Sequence, residues 1–461
     1  MKLSNAALSV YCGLAVALPP GNLAAGTSGT GPLSEWRSFL ESFPQSLKSV
    51  ADTLQRSTVD ATVSATQQIR DGALEALNRL DRPRHPKHPR HGNEPSVLTI
   101  YQTLQSLEGA AGEFTKLLDG FPELVDSLNS TEVEHTLFLP IDAAFDKIPD
   151  KFKHPSKEAL EKFLRYHLVA GTKLARDVVT SYTLESEAHE SHLGGENQRI
   201  RVGASLAGVT LNGYAKIKAV DIVRVHLIVT FSQSANSLAN ACIQKATNGV
   251  IHTINNVLAP PPPVGLILTF FPSYFSTLLL AYERTDFVKF VHGQHLVGST
   301  IFAPSNKAFK RLGAKANAFL FNTKDGVKYL DAILKYGITP NATLYSDEFY
   351  DKRSNSNSAQ QSGHEEHYTL ETFLPGASLG VDIAEYLGFR FINVNGFTGV
   401  SFHDAIGSNG VLHVVDKVIL PPHRGGKHSD VSEITVEALK ERLRPYVTRD
   451  ADEEEPAWGE L

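Results

Sequence analysis

Residue types that could carry chemistry are few and scattered in this 461-residue sequence. Only two cysteines occur, Cys12 and Cys242, so any thiol nucleophile would have to be one of these two. The serine elbow G-x-S-x-G, in which a strained turn presents a nucleophile, does not occur. We therefore expect no catalytic residue and predict that the protein is not an enzyme.

One histidine pair approaches a metal-binding pattern. His364 and His367 lie three residues apart, whereas two zinc ligands on one helical face, as in zinc proteases, lie four apart. The pair follows the polar run Ser354–Ser358, so we expect it in a loop. Neither a phosphate-binding P-loop nor a glycine-rich nucleotide fingerprint after a strand occurs. We predict no metal site and no cofactor.

A proline-rich basic segment holds a second histidine group. Residues 82–95 contain four basic residues and three histidines among prolines, a composition that favours an extended linker. The alternatives are binding of anionic polysaccharide or phospholipid head groups, or of a metal through His85, His88 and His91. We predict a solvated linker that precedes the first folded domain.

The N-terminus has the pattern of a secretory signal. Lys2 is followed by an apolar stretch from Ala6 to Leu18 and by small residues, so residues 1–17 are predicted to be a signal peptide. Cys12 lies within it, which leaves Cys242 as the single cysteine and excludes an intramolecular disulfide. The formal net charge of −6 gives no basic field for nucleic acid.

Residues 18–81 are predicted to form a helical extension. Apolar side chains recur there in alternating steps of four and three, a heptad stripe, at Trp36, Leu40, Phe43, Leu47, Val50 and Leu54. Such a stripe can pack on its own neighbour, or it can serve self-association or a partner helix. Both interpretations remain open from the sequence.

Two copies of one unit follow. Each begins with helix-period segments and a short β run that ends in proline, Thr136–Phe145 in the first copy and Thr300–Phe309 in the second. Each ends with an Asn-Gly turn that feeds apolar residues, a hairpin signal, at Asn248–Leu258 and Asn409–Leu420. The repeated start and finish predict two domains.

Within each copy, helices precede strands. Lys157–His167 and Thr323–Tyr336 have helical periodicity, and Gln198–Val202, Val209–Asn212 and Lys216–Val223 resemble strands. This order predicts an α+β fold with a sheet-based core.

The nineteen uncharged residues Val264–Tyr282 are long enough for a membrane span. Gly265, Pro272 and several hydroxyl residues interrupt them, so we predict a buried helix and no transmembrane span in the mature chain.

The paired motifs resemble the fasciclin (FAS1) domain family. The segment T-[LI]-F-x-P-x-[DN]-x-A-F, the pair Tyr166-His167 and the strand N-G-V-[IL]-H match its first, central and last signatures. The resemblance covers residues 96–260 and 264–422. The composition and layout of the chain are also similar to those of two-repeat proteins from filamentous fungi. It implies two tandem domains, each a β-sandwich wedge with packed helices, and a role in extracellular adhesion.

The resemblance also assigns roles to individual residues. It implies a weak binding role for Tyr166 and His167, although a histidine at this place is most often buried and bonded to backbone. The second copy departs from the pattern, with Gly337 in place of the histidine. The motif residues expected to be structural are Thr136, Phe138, Pro140, Phe145, Asn248, Gly249, His252, Thr300, Phe302, Pro304, Phe309, Asn409, Gly410 and His413.

Three further features complete the chain. Residues 224–244 interrupt the first copy's pattern, as a surface loop or, as we slightly favour, a translated intron. Asn129 and Asn341 open N-glycosylation sequons. Residues 423–461 form a polar tail whose acidic run, Asp450–Glu455, is predicted to be solvated and lacks the apolar end of a glycolipid-anchor signal.

The predicted function is non-enzymatic adhesion or scaffolding, with the protein secreted to the medium or the cell wall. Its predicted partners are a protein or cell-wall glycan ligand, or a second copy through the N-terminal helix. The alternative is a luminal vacuolar protein in membrane trafficking or vacuole fusion.

Overall fold

The computed structural model describes residues 98–148, 155–205, 208–218, 243–351, 360–362, 365–386, 389–422 and 433–452. The predicted signal peptide, helical extension and basic linker lie outside these residues, as does most of the 224–244 segment. The chain divides into two compact units. The first contains the chain up to Val179 and Val202–Pro260, and the second contains Thr180–Arg201 and the chain from Pro261.

Six helices are described in the first copy. Thr99 begins the first of them with a capping box, in which its hydroxyl accepts from the Gln102 N–H while the Gln102 side chain accepts from the Thr99 N–H. The helices are α1 (Ile100–Ser106), α2 (Glu108–Leu118), α3 (Pro122–Asn129), α4 (Asp142–Phe145), α5 (Lys157–Tyr166) and α6 (Ala175–Thr180).

The first copy also contributes eight strands: β1 (His135–Pro140), β2 (Leu168–Ala170), β3 (Thr183–His189), β4 (Asn197–Ser205), β5 (Gly208–Leu211), β6 (Ala215–Lys216), β7 (Ile243–Ala246) and β8 (Gly249–Ile254). At the centre of the first unit, β1 pairs antiparallel with β2 and parallel with β8. Every residue of β1 and β8 is buried, which suits a parallel pair covered on both faces. The β7–β8 hairpin closes at the predicted Asn-Gly turn.

The second copy follows the same order of elements. Its helices are α7 (Val264–Phe270), α8 (Pro272–Arg284), α9 (Phe287–His292), α10 (Asn306–Leu312), α11 (Ala314–Asn322) and α12 (Lys324–Tyr336). The predicted buried helix over Val264–Tyr282 is therefore helical, but it breaks before Pro272. No helix among the described residues is long and apolar enough to cross a membrane.

The strands of the second copy are β9 (Ser299–Pro304), β10 (Ile338–Pro340), β11 (Ala342–Leu344), β12 (Phe349–Asp351), β13 (Gln360–Ser362), β14 (Glu365–Glu371), β15 (Ser378–Tyr386), β16 (Phe389–Val394), β17 (Thr398–Gly407) and β18 (Gly410–Val415). Eight of them form one sheet in the order β10-β9-β18-β17-β16-β15-β14-β13. Strand β9 pairs parallel with β18, as β1 pairs with β8. The predicted α+β class is confirmed.

The segment Thr180–Arg201, which contains β3 and the first part of β4, groups with the second unit, and the predicted first domain ran unbroken over 96–260. Within the second unit the Thr183 N–H and hydroxyl donate to the Asp347 carboxylate at 2.7 and 2.6 Å. Arg199 Nη1 donates to the Tyr350 hydroxyl at 2.9 Å. These long-range contacts are invisible in a local sequence pattern.

Part of the C-terminal segment, which was predicted to be a polar tail, folds as a helix with a buried side. A further helix, α13 (Val436–Asp452), buries Leu439 and Leu443 completely. Its Arg442 guanidinium donates to the backbone carbonyls of Leu420 and Pro421. The tail prediction followed the charged residues and overlooked this apolar stripe, because two leucines four apart are a short signal.

Candidate functional site

In the first unit, one residue of the first motif and one of the last motif bond to the backbone segment that follows β2. The Thr136 hydroxyl donates to the Gly171 carbonyl at 2.6 Å and accepts from the Lys173 N–H at 2.7 Å. His252 Nε2 donates to the Lys173 carbonyl at 2.8 Å, and its ring stacks on Phe138. Strands β1 and β8, which are far apart in sequence and adjacent in the sheet, therefore both fix the position of Gly171–Lys173.

The second unit repeats this arrangement. The Thr300 hydroxyl donates to the Ala342 carbonyl and accepts from the Leu344 N–H, both at 2.9 Å. His413 Nε2 donates to the Leu344 carbonyl at 2.7 Å, and its ring stacks on Phe302. Burial lowers the pKa of His413, so the ring serves as a neutral hydrogen-bonding group.

The motif tyrosines also correspond. Asn212 Nδ2 donates to the Tyr166 hydroxyl, and Asn395 Nδ2 donates to the Tyr336 hydroxyl, each at 2.9 Å. Both asparagines have left-handed backbone, with φ of 50° and 53°, which asparagine tolerates better than most residues. Each tyrosine therefore fastens the end of a helix to a tight turn. No local sequence pattern pointed to Asn212 or Asn395 as partners of these tyrosines.

His167 is fully buried in the first unit, as Tyr166 is. The Leu258 N–H donates to its Nε2 at 2.8 Å, so Nδ1 carries the proton and donates to the Phe163 carbonyl at 2.8 Å. Burial lowers the pKa of His167 to about 4. The interpretation of His167 as a buried residue bonded to backbone is confirmed. Neither Tyr166 nor His167 is exposed to a ligand in this conformation, and their binding role stays a prediction.

The second unit has glycine and a small cavity where the first has this imidazole. A Cβ built on Gly337 would lie 3.3 Å from the Phe302 carbonyl oxygen. The cavity, of about 10 Å³, has mainly apolar walls, which include Leu278, Tyr282, Ile333, Leu334 and Ile419. It can hold at most about one water molecule, so it is a packing difference rather than a ligand pocket.

The motif asparagines anchor the opening helices. Asn248 Oδ1 accepts from the Ile100 N–H at 2.8 Å, and its Nδ2 donates to the Leu128 and Ser130 carbonyls. Asn409 Oδ1 accepts from the Val264 N–H at 2.8 Å. An asparagine in the last motif thus satisfies a backbone donor at the start of the first helix in each copy.

The glycines that follow allow a close backbone approach. Gly249 has φ of 145°, and a Cβ there would lie 1.8 Å from the His135 carbonyl oxygen. Gly410 has φ of 147°, and its Cβ would lie 2.1 Å from the Ser299 carbonyl oxygen. Only glycine fits either position.

The remaining motif residues join strand to helix. Pro140 and Pro304 end β1 and β9. Phe309 is buried and Phe145 is half-buried against the helices of the first core. The polar position of this motif was not among the predicted site residues. Asp142 Oδ1 accepts from the Glu113 N–H at 3.0 Å, and Asn306 Oδ1 from the Thr277 N–H at 2.8 Å.

A buried acidic cluster belongs to the second unit and was also missed. Asp404, fully buried with φ of 60°, accepts from the Ser346 N–H and hydroxyl at 2.8 and 2.5 Å and from His403 Nδ1 at 2.6 Å. Burial opposes ionisation, but the neighbouring His403 and Ser346 hold the pKa of Asp404 below its ordinary value. The serine hydroxyl faces a carboxylate rather than a histidine base, so this is not a nucleophile arrangement.

The other predicted residues lie in ordinary surroundings. His367 is in β14, not in a loop, and its Nδ1 donates to Asp382 at 2.6 Å. Within the described ranges, no group of three or more His, Cys, Asp and Glu side chains is placed to hold a metal ion. Asn129 is exposed, whereas Asn341 is partly buried and its Oδ1 accepts from the Val297 N–H at 2.9 Å.

Each of the two copies matches a known protein family. Residues 110–260 and 273–421, together more than half of the chain, match the Fasciclin domain model. A relative from Gibberella zeae, "Aurofusarin biosynthesis cluster protein S", is 27% identical over 76% of this chain and 86% of its own length.

Two longer animal proteins are also similar. The pig "Transforming growth factor-beta-induced protein ig-h3" is 27% identical over 48% of this chain, and rat "Stabilin-2" is 24% identical over 44%. This chain spans only 27% and 13% of their lengths.

Among solved structures, the FAS1 domain pair of the insect cell adhesion molecule Fasciclin I aligns with 68% of this chain and 97% of its own, at 17% identity and a TM-score of 0.31. The family assignment rests on the two domain matches and not on this weak superposition. With both copies matched and their motifs making equivalent bonds, the chain belongs to the fasciclin-domain family.

Proposed function

We propose that this protein is a non-enzymatic adhesion or scaffold protein that acts in the cell wall or the surrounding medium. The observation that carries the proposal is the pair of fasciclin domains, a family whose usual role is adhesion. In both copies, the motif side chains able to do chemistry bond to backbone in the interior. They are occupied in holding the fold, so function falls to exposed surfaces.

Glycosylation at Asn129 and Asn341 belongs to this proposal, because both sequons act only in the secretory pathway. Asn129 and Thr131 are exposed, which leaves room for a glycan on the folded protein. At the second sequon, Thr343 is buried in β11 and its hydroxyl faces Gly298. We expect Asn129 to carry the more fully occupied glycan.

The test is fractionation of a tagged full-length protein into medium, wall, vacuolar and cytosolic fractions, with endoglycosidase treatment of each. The expected result is glycosylated protein in wall or medium, with a mobility shift that Asn129→Gln largely removes. Vacuolar retention would instead support the trafficking alternative. An unglycosylated cytosolic product would contradict both.

A second candidate follows from the relative named for an aurofusarin biosynthesis cluster, which this chain covers over most of its length. Under this candidate, the protein is a scaffold that binds the proteins of a biosynthetic cluster and has no role in cell adhesion. Affinity capture of the tagged protein from the wall fraction separates the two. Reproducible recovery of biosynthetic enzymes would favour this candidate.

A further inference from the structure

The sheet of the second unit leaves one face of β14, β15 and β16 open to solvent. Along each strand, buried and more exposed residues alternate, which is the pattern of an antiparallel sheet with one face on the core. The core side carries Tyr368, Leu370, Leu379, Val381, Ile383, Ile392 and Val394. The opposite side carries His367, Thr369 and Glu371 on β14, Ser378, Gly380, Asp382 and Ala384 on β15, and Phe391 and Asn393 on β16.

Side-chain size makes this open face a shallow groove. On the middle strand, Gly380 and Ala384 have shorter side chains than His367 and Phe391 on the two flanking strands. The register places His367, Asp382 and Asn393 in one row across the three strands, with Ala384 beside Phe391 in the next row. Cross-strand neighbours lie about 5 Å apart, so the rows form one continuous surface, which we call the β15 groove.

One wall of the β15 groove holds a preset polar pair. His367 Nδ1 donates to Asp382 Oδ1 at 2.6 Å, although both side chains are substantially exposed. A Cβ on Gly380 would lie 3.3 Å from His367 Cε1, so glycine gives the imidazole room to lie across the middle strand. The pair offers donors and acceptors in fixed positions, next to the amide of Asn393.

The other wall holds an exposed aromatic ring. Phe391 is 47% exposed and is the aromatic residue among the four large hydrophobic side chains exposed in the described chain; the others are Val133, Leu280 and Val288. An aromatic ring left in water beside hydrogen-bonding groups suits a ligand with one apolar face and polar edges. The C–H face of a pyranose ring, edged by hydroxyls, has this chemistry.

We propose that the β15 groove binds a neutral polysaccharide, with Phe391 stacked on a sugar ring and Asp382, His367 and Asn393 bonded to its hydroxyls. This rests on the proposed adhesion function and names its ligand class. The open face holds two carboxylates, Asp382 and Glu371, and no lysine or arginine among these residues, so it does not favour a polyanion. A single aromatic ring without an apolar pocket is a poor anchor for a peptide.

The experiment measures binding of the purified full chain to laminarin, a soluble β-1,3-glucan, and to a chitin hexamer by calorimetry. Dextran sulfate serves as the polyanion. We expect at least one neutral glycan to bind, Phe391→Ala to weaken it about tenfold and Phe391→Trp to retain it. Ala384→Gln, which fills the space directly beside the ring and leaves Phe391 itself in place, should weaken it comparably. Val288→Ala, at an equally exposed position on α9, is the matched control.

Isolated cell walls separate failure of this inference from failure of the proposed function. If the wild type binds walls and the groove variants bind equally well, the inference is overturned and adhesion stands. If binding needs wall protein, or follows dextran sulfate instead of the neutral glycans, the inference is likewise overturned. A wild type that binds neither walls nor glycans overturns both.

Discussion

The two units use equivalent bonds in all three motifs and differ at one position of the central motif, His167 in the first unit and Gly337 in the second. In both, a threonine and a histidine from neighbouring parallel strands bond to a backbone segment that follows the motif helix. In both, an asparagine in a left-handed turn donates to the tyrosine hydroxyl. Only the first unit adds His167, which links α5 to the segment after β8. The threonine and histidine bonds are therefore common to both copies, and His167 is an additional feature of the first.

The second unit has compensating features elsewhere. The buried Asp404 and Ser346, with the partly buried His403, fix the loop after β11, and α13 covers part of its helices. A small cavity remains at Gly337. The family motifs therefore mark positions that the fold needs. Each copy stabilises the surrounding loops with different residues.

The largest expected effect is at the motif glycines. Gly249→Ala and Gly410→Ala each place a Cβ within about 2 Å of a carbonyl oxygen, so each should prevent its own unit from folding and leave the other folded. Domain-resolved hydrogen exchange of the full chain measures this.

Gly171→Ala and Gly396→Ala are matched controls, because they share positive φ but have open space at the Cβ. Each should cost only about 1 kcal/mol. Loss of both units from a single motif variant would contradict their independence.

The next effect is at the position that distinguishes the units. His167→Ala removes a buried ring and leaves the Leu258 N–H without its acceptor, so we expect the free energy of unfolding of the first unit to fall by about 4 kcal/mol. Gly337→Ala should change the second unit by about 1 kcal/mol or less, since the added methyl meets only one close atom. Denaturant titration of both variants provides the comparison, and equal losses would contradict it.

The pH dependence of the first unit should follow His167. Its pKa in the folded state is about 4 against an ordinary value of 6.5, so the unfolded chain takes up the proton more readily. Stability is then fully present above pH 6.5 and falls by about 3 kcal/mol as the pH drops to 4.

The control for this pH dependence is His167→Gln, which should flatten the curve between these pH values. The second unit contains buried His413, so the comparison is made between wild type and variant in the same unit. An unchanged slope in the variant would assign the dependence to another group.

The smallest expected effect is at the shared tyrosines. Tyr166→Phe and Tyr336→Phe each lose the bond to an asparagine and should cost about 1 kcal/mol. The Tyr336 hydroxyl also donates to the Ser378 carbonyl at 3.0 Å, and Tyr336→Phe loses that bond too. Double-mutant cycles with Asn212→Ala and Asn395→Ala test the pairing. Additive losses would show that neither pair is coupled.

Much of this fold was predictable, because the repeated motifs carry local signals. The Asn-Gly turns, the proline at the end of β1 and β9, and the helical period of α5 and α12 all involve residues close in sequence. The partners of the motif residues were not predictable, since Asn248 meets Ile100 from 148 positions away. The same holds for Asp404 with Ser346, and for the segment Thr180–Arg201 that groups with the second unit.

The most direct test asks whether the motif residues of the first unit support the fold or touch a ligand. The measurement is wall binding of the purified full chain alongside its free energy of unfolding, for wild type, Tyr166→Phe and His167→Gln. We predict lower stability in both variants and unchanged wall binding wherever the protein remains folded, because both side chains are fully buried. Loss of wall binding with unchanged stability would contradict this and place the ligand at the motif itself.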